Sequence, residues 1–177
     1  LNEGFATYLS AMVIEAFDGD AAFVEHKTAL TNWITSVAGG AVYLTPSETN
    51  SVNRIFSNRL SYSKGAMVLH MLRYKLGDSV FIQALRNFLN DPALAFNYAV
   101  TSQFQDICET TSGTDLQEFF NDWIYNQGYP SYSVAVTYLG NNQAKIVLNQ
   151  TQSHPSVSFF EMPVEIGLFS SSGEQQI

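Results

Sequence analysis

The hydrophobic period of the chain changes near residue 130, from the 3.6 residues of an α-helix to the 2 residues of a β-strand. Before that point, apolar side chains such as Phe5 and Tyr8 recur at helical spacing. After it, apolar and polar residues alternate over 133–138, which is typical of a strand. The sequence therefore predicts a mainly α fold over residues 1–129 and a short antiparallel β segment over residues 130–177.

Capping residues, glycines and prolines divide the first part into separate helices. The predicted helices cover about 3–17, 20–37, 61–77, 78–90, 101–110 and 115–128. The helix after the long loop over 41–61 is expected to be capped by Ser61 or Ser63 and to be buried. A loop of that length inside a compact domain is usually functional.

The second part reads as strands separated by turns. Residues 140–142 form a hairpin turn signal between strands over 133–138 and 145–150. A third strand is predicted over 159–169, with Pro163 at an edge or bulge, and the residues after it are polar and turn-like. We expect these strands to be the opening of a β-sandwich that is truncated in this chain, because so few strands with apolar faces need a partner.

Composition excludes several classes of function. The net charge is −8 and the basic residues are scattered, which argues against binding to nucleic acid or to an anionic membrane. No apolar run reaches the roughly 18 residues of a membrane-spanning helix. Cys108 is the single cysteine and is expected to be a small core residue. The low charge and the many Ser, Thr, Asn and Tyr residues favour an exported protein, either secreted or periplasmic.

Two polar residues at helix starts are candidates for a site. Glu3 faces away from the apolar stripe of the first helix, and it is either a solvated residue that favours the helix dipole or a metal ligand covered by another segment. Tyr62 either packs the long loop against the following helix or carries chemistry. The histidines His26, His70 and His154 are expected to be packed or exposed residues and not ligands.

Three short segments resemble the M1 family of zinc metallo-aminopeptidases, which belongs to the gluzincins. Residues 2–6, Asn-Glu-Gly-Phe-Ala, resemble the segment that carries the glutamate zinc ligand of that family. Residues 62–65, Tyr-Ser-Lys-Gly, resemble its catalytic tyrosine motif, and the separation from Glu3 is one that the family shows. The ending over 123–130, Trp-Ile-Tyr-Asn-Gln-Gly-Tyr-Pro, resembles the last helix of its catalytic domain.

The resemblance implies a fold, a cofactor and residue roles. It implies that residues 1–129 are the helical C-terminal part of a thermolysin-like catalytic domain and that residues 130–177 begin a β-sandwich-like domain. Glu3 would be one of three Zn²⁺ ligands, and the Tyr62 hydroxyl would stabilise the oxyanion formed when water attacks a peptide. The resemblance does not distinguish an aminopeptidase from a related enzyme that also hydrolyses epoxides.

The family's His-Glu-x-x-His motif, which lies about eighteen residues before the glutamate, is not in this sequence. We therefore expect a fragment that binds no catalytic zinc alone, is inactive alone and self-associates through its exposed truncation surface. The alternative is a non-enzymatic helical interaction module joined to a β-domain, in which Glu3 is solvated and Tyr62 only packs.

Overall fold

The computed structural model describes residues 1–141, 143–170 and 173–176. The helices are α1 (Asn2–Asp18), α2 (Asp20–Thr35), α3 (Val52–Ile55), α4 (Gly65–Leu76), α5 (Asp78–Asn90), α6 (Thr101–Ser112) and α7 (Gln117–Phe120). A π-helical segment, Asn58–Lys64, leads directly into α4, and a second one, Asn121–Tyr125, continues α7. The strands are β1 (Pro130–Gly140), β2 (Gln143–Gln152), β3 (Gly167–Ser170) and β4 (Gly173–Gln176).

This order confirms the predicted fold class, a helical part followed by a short antiparallel β segment. β1 pairs with β2 and β3 pairs with β4, each as an antiparallel two-stranded sheet. β1 begins at Pro130, where the sequence period changes. The division of the chain into two domains at that point stays a prediction. Within the described residues, no helix combines the length and apolar character needed to cross a membrane.

The core lies between the helices and is rich in aromatic rings. The Phe104 side chain is 1% exposed, and its ring lies 5.1 Å from Phe5, 5.2 Å from Phe88 and 6.1 Å from Phe120, mostly edge to face. Such contacts add to the free energy gained by burying the rings. Cys108 is fully buried in the same cluster, as predicted, and burial raises the pKa of its thiol to about 12.

The predicted third strand over 159–169 is wrong for most of its length, because β3 begins only at Gly167. Phe160 is instead fully buried against Trp123, with ring centroids 4.5 Å apart. The Gln150 side chain accepts from the Phe160 amide at 2.7 Å and donates to its carbonyl at 2.9 Å. The Gln150 side chain therefore takes the hydrogen bonds that a neighbouring strand would otherwise make with the Phe160 backbone.

The two predicted turns have different outcomes. The hairpin turn after Gly140 lies between β1 and β2, although Asn142 is outside the described residues. The polar segment after 169, predicted to be turn-like, instead carries β4, whose Gly173 pairs with Ser170 across the turn. Residues 171 and 172 lie outside the described part of the chain, so the turn itself is not described.

Candidate active site

Helices α1 and α4 cross at a pair of glycines. A Cβ atom placed on Gly4 would lie 2.7 Å from the carbonyl carbon of Gly65, and one placed on Gly65 would lie 3.1 Å from the Gly4 Cα. The two backbones are therefore in direct contact, which a larger residue at Gly4 would prevent. Gly4, Tyr8 and Ala11 form the buried face of α1, whereas Leu9 is about half exposed.

Each glycine belongs to one of the two candidate motifs, so the crossing brings Glu3 and Tyr62 together. Both side chains are half-buried. The pKa of Tyr62 is raised from its ordinary value by desolvation, and next by the negative charge of Glu3 and a hydrogen bond to that carboxylate. Glu3 is thus half-buried beside this phenol, and whether it binds a metal stays a prediction. Its own carbonyl accepts a hydrogen bond from the Thr7 hydroxyl at 2.8 Å.

Tyr62 lies inside a π-helical turn and not at the mouth of an α-helix, where the sequence predicted it. The Tyr62 amide donates to the Ser57 carbonyl at 3.3 Å, which is the five-residue spacing of a π-helix. The cap is Ser57, whose hydroxyl accepts from the Leu60 amide at 3.3 Å, and not Ser61 or Ser63. π-helical turns are rare in proteins, and those that occur are often found at functional sites.

Lys64 holds the other side of this turn. The side chain is buried, and its ammonium donates to the carbonyls of Gly40 at 2.8 Å and Gly128 at 3.2 Å. Desolvation first, and then the charges of Arg59 and Arg54, lower the pKa of Lys64 to about 8. The amine therefore still carries its proton at pH 7.

Two arginines hold the long loop that precedes the π segment. Arg59 donates to three carbonyls at the end of α2 and just beyond it, at 2.9–3.3 Å. Arg54 donates to the carbonyls of Ala41 and Tyr43 at 2.8 and 2.9 Å and pairs with Glu48 at 2.8 Å. Buried carbonyls need such partners, so this loop is fixed in place although it has little regular structure.

The residues present do not form a zinc site by themselves. Glu3 offers one carboxylate, and the described residues contain no group of three or more His, Cys, Asp or Glu side chains placed to hold a metal ion. A catalytic zinc needs three protein ligands, so Glu3 and the other described residues do not complete such a site.

The histidines lie away from Glu3 and Tyr62. His70 Nδ1 lies 3.2 Å from the Tyr8 hydroxyl, and its Nε2 lies 3.2 Å from the Lys27 ammonium. Desolvation, followed by the charge of Lys27, lowers the pKa of His70 to about 4. His154, which the sequence predicted to be exposed, is half-buried, and its Nδ1 lies 3.0 Å from the Ser156 hydroxyl.

Sequence reasoning missed the roles of Gly4, Gly65 and Lys64. A glycine in the first turn of a helix is an available signal, because glycine disfavours helix and so needs another reason to be there. A lysine two residues before the apolar residues 66–69 is a second signal. Neither signal tells which distant segment the residue contacts.

A well-formed cavity lies elsewhere among the described residues. It has a volume of about 820 Å³ and is lined by the start of α1, by Phe88 and by the loop over 94–101 between α5 and α6. Neither Glu3 nor Tyr62 lines this cavity. Its walls include the strongly exposed Phe96 and Tyr98, so it is an open apolar groove beside the candidate site and not the site itself.

The chain resembles known peptidases in sequence and in fold. Residues 1–123 match the family described as Peptidase family M1 domain. The chain is 26% identical to aminopeptidase M1-C of Oryza sativa subsp. japonica, over 100% of the chain and 20% of that protein. It is 31% identical to probable aminopeptidase 2 of Sulfurisphaera tokodaii, over 85% of the chain and 19% of that protein.

A solved structure agrees with these sequence matches. The fold is similar to that in the crystal structure of Legionella pneumophila aminopeptidase A in complex with aspartic acid, with a TM-score of 0.72 and 22% sequence identity. The similarity covers 99% of this chain and 19% of that one. The chain spans about a fifth of the length of the curated relatives described above.

Proposed function

Because the chain belongs to peptidase family M1, we propose that it is part of a zinc-dependent aminopeptidase, which removes N-terminal residues from peptides. The observation that carries the proposal is the juxtaposition of Glu3 and Tyr62 at the contact between Gly4 and Gly65. A non-enzymatic module would have no need to bring a carboxylate and a phenol together by a backbone contact between two helices.

In this proposal Glu3 supplies one carboxylate ligand to a zinc ion. The other ligands lie outside these 177 residues, so the chain alone has no complete site. A zinc ion held there would acidify a water molecule and polarise the scissile carbonyl. Glu3 is suited to this role because its side chain is half-buried beside Tyr62.

Tyr62 donates the hydrogen bond that stabilises the transition state. When water attacks the peptide carbonyl, negative charge develops on its oxygen, and a fixed hydroxyl near that oxygen lowers the barrier. Removing one such donor typically lowers kcat by about 10² to 10³, or about 3–4 kcal/mol. A tyrosine phenol is protonated at neutral pH, as a donor must be, and the pKa of Tyr62 is raised further from its ordinary value by desolvation and by the charge of Glu3.

Kinetics of the full-length protein that contains this chain test the proposal. We expect Tyr62→Phe to lower kcat on a chromogenic aminoacyl anilide by about 10² or more, because the phenol is lost and the ring is kept. Tyr74→Phe is the matched control, since Tyr74 is a half-exposed tyrosine of α4, the helix that follows the Tyr62 turn. A kcat for Tyr62→Phe within twofold of the wild-type value would refute the role.

The isolated chain is proposed to self-associate and to be inactive. The apolar side chains of β1 at Val134 and Val136 lie on one face of the hairpin with their β2 partners, and both are more than half exposed. Exposed apolar faces of this kind are association surfaces. Sedimentation velocity at increasing concentration is expected to show growing oligomers, and a monomer at all concentrations would contradict this expectation.

A further inference from the structure

The turn that carries Tyr62 is held on the side opposite the candidate site by the buried Lys64. The Lys64 side chain is 3% exposed, and its ammonium bonds two backbone carbonyls. One belongs to Gly40, in the loop after α2, and the other to Gly128, just before β1. One ammonium therefore joins the Tyr62 turn to two segments that are distant in sequence.

Both acceptors are glycines in backbone conformations that other residues rarely adopt. Gly40 has φ 108° and Gly128 has φ 94°. A Cβ atom on Gly40 would lie 2.7 Å from the Leu60 side chain, which belongs to the same π segment as Tyr62. The two carbonyls thus depend on glycine for the conformation in which they accept from Lys64.

The remaining contacts of the π segment constrain it from the other directions. Gly65 contacts Gly4 across the helix crossing, and Arg59 bonds the end of α2. These contacts surround Tyr62 but do not include its hydroxyl. That hydroxyl lies beside the Glu3 carboxylate, and its place depends on the backbone of its turn. Lys64, two residues later, fixes this backbone together with Arg59.

We propose that Lys64 is a positioning residue, which holds the π-helical turn so that the Tyr62 hydroxyl faces the reacting carbonyl beside Glu3. This inference rests on the proposed function. Lys64 does not touch the substrate, and it acts only through Tyr62. A displacement of about 1 Å in a catalytic group can cost about 10² in rate, so the loss of Lys64 affects kcat more than KM.

A double-mutant cycle in the full-length protein separates this role from general structural support. Lys64→Met keeps the length of the side chain but removes its donors, and it is expected to lower kcat about tenfold or more with KM within about twofold. In a Tyr62→Phe background the same substitution is expected to change kcat by less than about twofold, since its target is already absent. Equal losses in both backgrounds, or no loss in the wild-type background, would overturn the proposal.

Lys27→Met is the matched control, because Lys27 is also partly desolvated but contacts His70 and the Phe23 ring instead of the π segment. It is expected to leave kcat within about twofold. If Lys64→Met does not fold, Lys64→Gln, which keeps N–H donors on a shorter stem, takes its place in the cycle. If Tyr62→Phe alone has no effect, the proposed function fails.

Whether Lys64 positions the turn is then decided by a measurement that needs no activity. In the full-length protein with isotopically labelled tyrosine, the NMR signal of Tyr62 is identified by its loss in Tyr62→Phe. Lys64→Met is expected to shift this signal, and Lys27→Met is expected to leave it in place. An unshifted Tyr62 signal in Lys64→Met would overturn the inference independently of the kinetics.

Discussion

The helical part and the β1–β2 hairpin of this chain are stabilised by different interactions. Phe104 in the helical part is 1% exposed, whereas Tyr138 in the hairpin is 85% exposed. Helical side chains are fixed by packing on several sides, and the hairpin strands are fixed mainly by their own backbone ladder. The two motifs that carry Glu3 and Tyr62 both lie in the packed region, where precise geometry is possible.

The hairpin is joined to the helical part by the segment that follows it. Val157 and Phe160 are buried in the core, while β1 is exposed along nearly its whole length. Truncation of an apolar side chain is therefore expected to lower the free energy of unfolding more in the helical part than in the strands. This difference can be measured.

The largest expected effect is a paired truncation in the two regions. Phe104→Ala removes a ring that contacts three others and is expected to lower the free energy of unfolding by about 3–5 kcal/mol. Val136→Ala in β1 is expected to lower it by less than about 1 kcal/mol, since this valine is more than half exposed. Urea denaturation of both variants checks the pair, and similar losses would mean that the hairpin is packed like the core.

A second, smaller effect concerns the contact between α1 and α4. Gly4→Ala places a methyl group 2.7 Å from the backbone of Gly65 and is expected to cost about 1–3 kcal/mol by forcing the helices apart. Gly113→Ala is the control, because Gly113 has φ 69° and open space around it, so only backbone strain of about 1 kcal/mol is added. A Gly4→Ala protein as stable as wild type would show that the crossing is not tight.

The smallest effect is the pH dependence contributed by His70. Its pKa is about 4 in the folded chain and is about 6.5 in the unfolded chain, so the neutral form is favoured by folding. This contribution to the free energy of unfolding is fully present above pH 6.5 and is lost as the pH falls toward 4. Compared with His70→Gln, wild type is expected to lose about 1–2 kcal/mol more between pH 7 and pH 4.5, as measured by urea denaturation at both values.

An equal loss in His70→Gln would contradict this origin of the acid sensitivity. The group lies in the packed region, between Tyr8 of α1 and Lys27 of α2. A pH dependence that survives the substitution would have to come from other titrating groups.

The sequence predicted the parts of this structure that depend on local pattern. Helix spans such as α1 and α2 follow from apolar spacing and glycine punctuation, and the β1–β2 pairing follows from alternation around a turn at Gly140. The π turn at Tyr62 was not predicted, because no local pattern in residues 58–64 distinguishes a π-helical turn from an α-helical one. The contact between Gly4 and Gly65 joins residues about sixty positions apart, which no local pattern encodes.

The site was predicted less completely than the fold. Glu3 and Tyr62 were selected through the resemblance to a family, and their residue roles stay predictions. The prediction of a third strand over 159–169 was wrong because the burial of Phe160 and its hydrogen bonds to Gln150 outweighed the local strand pattern. Tertiary contacts decide such cases, and a single sequence does not reveal them.

The central claim is that Glu3 and Tyr62 serve one site in different ways, Glu3 by binding the metal and Tyr62 by acting on the substrate. The most direct test is the zinc affinity of the full-length protein in Glu3→Gln and Tyr62→Phe, with Glu25→Gln on the exposed face of α2 as the control. We predict that Glu3→Gln weakens zinc binding by about tenfold or more, whereas Tyr62→Phe and Glu25→Gln leave it within about threefold. Zinc bound by Glu3→Gln as tightly as by wild type would contradict the account.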